Sequence, residues 1–67
     1  MKTNYEASIQ RQILRAIETK TPASYFDRLA EREEAIGASM AYGNKASHTR
    51  EANRCKIVAA ALRDAGL

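Results

Sequence analysis

The chain has no tryptophan, one phenylalanine, one cysteine, one histidine, one proline and three glycines among its 67 residues. Each scarcity removes a class of protein. A lone cysteine allows no disulfide framework, and a free thiol fits a cytoplasmic setting. One His and one Cys, seven positions apart, do not fill a four-ligand metal shell within one chain. No apolar run approaches the roughly 18 residues that cross a bilayer. The opening MKTNYEAS lacks the apolar middle of a secretory leader, so no membrane role is expected. Missing as well are a Gly-rich phosphate loop, a G-x-S-x-G elbow and a dinucleotide fingerprint. At 7.4 kDa, residues 1–67 read as one small domain.

What remains is alanine and charge. Hydrophobic residues make up 45% of the chain, yet 13 of them are Ala. Ile, Leu, Val and Phe together number only 11. Alanine is the strongest helix former, and so few large side chains make a thin core. The composition therefore predicts an all-α, three-helix small domain completed by dimerisation, with a homodimer as the expected state.

Punctuation divides the chain into helices at about 4–19, 22–42 and 49–65. Thr3-Asn4-Tyr5-Glu6 fits a capping box at the first start. Tyr5, Ile9, Ile13, Ala16 and Ile17 share one face at helical spacing. Thr21-Pro22 stops that helix and opens the second, and Gly43-Asn44 offers a left-handed stop. The second helix gathers Tyr25, Phe26, Leu29, Ala30, Ile36 and Met40 on one arc, with Glu33 inside it. Gly37 lowers its helix propensity by about 1 kcal/mol relative to Ala.

The third helix is expected to follow a loop over Gly43–His48, with Thr49 as its N-cap and Gly66 as its C-cap. Ala52, Cys55, Val58, Ala59 and Leu62 form one apolar face. Ile57 and Ala61, with Arg50 and Arg54, form a second on the opposite side. A helix apolar on two sides is covered on two sides. Either this helix lies between the other two, or its second face meets another chain.

The chemistry open to such a chain is narrow. Cys55 with His48 is its one Cys/His combination, but Cys55 sits mid-face as a small hydrophobe and is expected to be inert. Glu31, Glu33 and Glu34 diverge around the second helix and do not converge on a substrate. No enzyme activity, cofactor or small-molecule substrate is expected. Glu33 has two readings. Either the helix rolls so that the carboxylate reaches the rim, or Glu33 pairs with Arg50 or Arg54, of this chain or of a partner chain, and sets register.

Positive charge is concentrated late. Residues 1–37 carry six basic and six acidic side chains, whereas residues 38–67 carry five basic and two acidic ones. Lys45, His48, Arg50, Arg54 and Lys56 are candidate phosphate contacts. The match to a helix-turn-helix is poor, because the expected loop is too long and the third helix has no polar recognition face. The sequence thus points first to a non-enzymatic regulator, adaptor or inhibitor acting by protein contact. Its candidate interface is Tyr25, Phe26, Glu33, Arg50, Arg54, Ile57 and Ala61. A nucleic-acid-binding regulator, contacting phosphates through 45–56, is the alternative, and a protein partner is expected ahead of nucleic acid.

Overall fold

The computed structural model describes residues 3–39 and 45–67. They form a small all-α unit of three helices, α1 (Asn4–Glu18), α2 (Ala23–Ser39) and α3 (Lys45–Asp64). The start of α1 follows the capping pattern. Thr3 is extended, and its Oγ1 accepts from the Glu6 amide at 3.0 Å. The helix ends in a Schellman turn: Thr21 N donates to Ala16 O at 2.8 Å and Lys20 N to Ile17 O at 3.1 Å. Lys20 occupies the left-handed position of that turn, with φ 56°. Pro22 directly precedes α2, and its carbonyl accepts from Tyr25 N at 3.1 Å.

The second helix is described to Ser39, and the expected stop at Gly43-Asn44, with Met40 and Tyr42, lies outside the described residues. The expected start of the third helix is corrected. α3 begins at Lys45, four residues before Thr49. Thr49 is not its N-cap; the Thr49 hydroxyl donates to the Lys45 carbonyl at 3.0 Å from within the helix. The reason is local. Lys45-Ala46-Ser47-His48 contains no Gly or Pro to oppose helix, and Ser and Thr are tolerated inside one when they bond back to the preceding turn.

The end of α3 matches its reading. Gly66 has φ 84°, Leu67 N donates to Leu62 O at 2.8 Å, and Gly66 N donates to Arg63 O at 3.0 Å. The Leu67 carbonyl then accepts from Ala23 N at 3.2 Å, satisfying one of the amides that the first turn of α2 leaves open.

Among the described residues, α3 packs against both α1 and α2, which make no packed interface with each other. The two-faced helix is therefore the middle one. Tyr5 lies beside Ser47–Arg54, and Ile9 and Ile13 lie beside Ile57, so α1 and α3 run in the same sense. α2 runs against them, with Glu33 at His48 and Asp27 at Arg63. Small residues form the α2–α3 contact. Ala23, Ala30 and Gly37, seven apart, are buried, as are Ala52 and Ala59 and the pair Cys55 and Leu62. That heptad spacing keeps one face of each helix on its neighbour. Phe26 and Val58 fill the remaining space, and Ile9 and Ala16 bring α1 onto this core.

The α2 arc differs from its sequence reading. It turns toward Ala23, Ala30 and Gly37 and leaves Tyr25 half exposed. The expected arc followed the large side chains. The observed one follows the small ones, because only they let two backbones approach. A Cβ placed on Gly37 would come within 3.2 Å of the Cβ of His48.

Candidate functional site

The second face of α3 is only partly covered. Ile57 is 47% exposed and Ala61 is half-buried. With Tyr5, Ile9 and Ile13, Ile57 lines an open groove of about 320 Å³ between α1 and α3, edged by Glu6 and Gln10. Among the described residues, α1 packs closely only against α3. Its apolar face spans a wide arc, of which Ile9 and Ala16 are buried in the core and Ile13 is half-buried against it. Ile17 and Leu14, farther round the helix, are 39% and 57% exposed. Leu14 falls outside the expected arc of α1. Its signal in the sequence is its place between Ile13 and Ile17, which widens the apolar stripe by most of a quarter turn.

Tyr25 and Phe26 part company. Their rings meet edge to face, with centroids 5.2 Å apart and planes at 87°. Phe26 is a core residue, and its ring is not a surface anchor. Tyr25 is exposed and borders a hollow of about 300 Å³ with Gln12, Arg15, Thr19 and Thr21. The Gln12 Oε1 is buried without a hydrogen-bond partner.

Glu33 is neither on a bare rim nor paired with Arg50 or Arg54. Its Oε2 lies 2.5 Å from the Nδ1 of His48, and both side chains are about a quarter exposed. The physical reason is the early start of α3, which places His48 on a helix opposite Glu33 instead of in a loop. This pair ties the first turn of α3 to α2 beside Gly37. The remaining carboxylates of the cluster diverge: Glu34 pairs with Lys56 at 2.6 Å, and Glu31 is exposed.

The five candidate phosphate contacts do not form one surface. His48 is joined to Glu33, Arg54 to Glu51 and Lys56 to Glu34. Lys56 faces α2, whereas Arg50 and Arg54 line a hollow of about 290 Å³ with Tyr5, Ser47 and Glu51 on the α1 side. Lys45 and Arg50 are exposed. Glu51, through its hydrogen bond and its charge, raises the already high pKa of Arg54. The Arg54 Nε is buried without a partner.

Cys55 is 4% exposed, and burial foremost, followed by the Glu51 charge, pushes its thiol pKa above 9.0. That environment disfavours the thiolate a nucleophile needs. Among the described residues, no three His, Cys, Asp or Glu side chains gather where they would hold a metal ion. No helix among them is long and apolar enough to cross a membrane. Comparison with protein-family models, curated proteins and solved structures finds no match to the chain.

Proposed function

We propose that this chain is a small non-enzymatic regulator, adaptor or inhibitor of the cytoplasm that acts by protein–protein contact, as a homodimer. One observation carries the reading. Tyr5, Leu14, Ile17, Tyr25 and Ile57 are each between 39% and 57% exposed. A chain with 11 aliphatic and Phe residues in all leaves a large share of them outside its core. Single exposed hydrophobes are ordinary, but apolar side chains grouped along an open groove are a feature of contact surfaces. Tyr and Ile anchors flanked by Arg50 and Arg54 suit such a surface.

The test is capture of partners on the immobilised chain, with and without nuclease, alongside Tyr25→Ala and Ile57→Glu variants. A protein partner that survives nuclease and is lost with one of the variants supports the reading. Retention by both variants rejects it.

The second reading is phosphate contact through the Arg50–Arg54 hollow, favoured by the unpartnered Arg54 Nε. It requires binding to nucleic acid that weakens steeply with salt. Absence of binding at about 50 mM salt eliminates it, because phosphate contacts are strongest under those conditions.

A further inference from the structure

Among the described residues, the outer face of α1 has no packed neighbour, and its chemistry is specific. At 100° per residue, Ile13, Ile17, Gln10 and Leu14 lie together on that face. Glu6 stands at its N-terminal end, and Lys20 stands at its C-terminal end, in the turn beyond the helix. All are exposed except Ile13, which is half-buried at the edge of the groove with Ile57. Arg15 projects from the other side of the helix, while Arg11 and Glu18, three residues before and four after Leu14, border the Leu14 edge of the face with one charge of each sign.

We infer that this face is covered by α1 of a second copy of the chain, packed antiparallel about a two-fold axis beside Ile13 and Leu14. The inference rests on the homodimer reading above and deepens it by assigning the surface and the orientation. Three observations carry it. The first is area. The chain exposes 4984 Å², whereas a compact monomer of 7.4 kDa exposes roughly 4200 Å². The excess of roughly 800 Å² is about what each partner contributes to a standard stable interface.

The second observation is charge. Turning one α1 antiparallel to another sets Glu6 of each copy against Lys20 of the other, at both ends of the contact. A parallel pairing sets Glu6 on Glu6 and Lys20 on Lys20. The antiparallel arrangement also opposes the two helix dipoles favourably. The third is self-complementarity. A two-fold axis requires one patch to match itself. Around an axis between positions 13 and 14, Ile13 and Leu14 of both copies cluster at the centre, Gln10 lies level with Ile17 of the second copy, and Glu6 comes within one residue, about 1.5 Å along the helix, of Lys20. Ile57 lies at the flank, where the groove closes. This use of α1 leaves Tyr25, on α2, free for a different partner.

The experiment is light scattering on the eluting protein across a concentration series, with circular dichroism on every variant. The wild-type chain is expected at twice 7.4 kDa, and Ile17→Glu at the monomer mass with its helical spectrum kept. Ile17 is outside the core, so the fold does not depend on it. Glu6→Lys and Lys20→Glu are each expected to weaken the dimer at least tenfold, and the double variant E6K/K20E to restore it. A wild-type chain that stays monomeric at millimolar concentration overturns the inference while leaving contact with other proteins intact. A dimer indifferent to Ile17→Glu, or one that the double charge swap does not rescue, overturns the assigned face and orientation.

Discussion

Lys20 holds a left-handed backbone conformation, φ 56°, at the turn after α1. For a residue with a Cβ that conformation costs about 1–2 kcal/mol. Glycine removes the cost but gives back part of it through the greater freedom of the unfolded chain. Lys20→Gly is therefore expected to raise stability by about 0.5–1 kcal/mol in urea unfolding of dilute protein. An unchanged or lower midpoint contradicts this account of the turn. Leu62 is the opposite case. It is fully buried, and Leu62→Ala is expected to cost about 2–5 kcal/mol, enough to leave so small a domain largely unfolded by circular dichroism. Cys55 supplies a pH dependence. Its native pKa is raised above 9.0, mainly by burial. Well below the ordinary thiol pKa both folded and unfolded chains keep the proton, and the stability it contributes is complete. Above it the unfolded chain releases the proton first, so stability falls as pH rises toward the native pKa. As the pH rises through the ordinary thiol range and beyond, the wild type should lose stability relative to Cys55→Ala. Equal loss in both proteins shows that the thiol is not the group responsible.

At the scale of the element, helix existence was plainly readable and helix contact was not. Thr3, the Thr21-Pro22 stop and Gly66 are punctuation whose physics is local, and each marks a helix end as expected. The early start of α3 was hidden because Ser47 and Thr49 read equally well as caps and as helical residues bonded back to the preceding turn. The α2 face was misjudged for a different reason. Size drew attention to Tyr25 and Leu29, while the contact with α3 is made where Ala23, Ala30 and Gly37 recur every seven residues. The partner of Glu33 was missed because it depends on where α3 begins. Gly37 tests this packing. Gly37→Ala combines a propensity gain of about 1 kcal/mol with a tight contact at 3.2 Å to His48, and the two should nearly cancel. Gly37→Leu has no room and should cost about 1–3 kcal/mol, measured by thermal melting. If the leucine variant melts with the wild type, α2 and α3 are not held by close approach at this point. Of the residues proposed for an interface, the structure leaves Ile57 and Tyr25 exposed and Ala61 half-buried. The outer face of α1 was not legible in the sequence, since its exposure follows from which helix ends up in the middle.

For the whole molecule, placing the two-faced helix centrally solves one problem and creates another. Among the described residues α3 finds cover on both sides, but α1 and α2 do not pack closely on each other and border only a shared hollow at Gln12, Arg15 and Tyr25. The result is flat, 37 × 29 × 16 Å, with a radius of gyration of 12.7 Å, against roughly 11 Å for a compact chain of this length. A flat three-helix layer has too much surface for its core, and pairing two layers through α1 removes that surface without any change of fold. In the proposed pair folding and association are linked, because each chain would complete its apolar burial there. Mass action makes the consequence measurable. A tenfold increase in protein concentration favours the native dimer by about 1.4 kcal/mol per dimer, or about 0.7 kcal/mol per chain. For a domain of this size that raises the melting temperature by roughly 3–6 °C. Melts of the wild type at about 10 μM and 100 μM should differ by that amount, whereas those of Ile17→Glu should coincide at a lower temperature. Coincident wild-type curves would mean that a single flat layer carries its own stability, and the pairing of α1 faces would have to be abandoned.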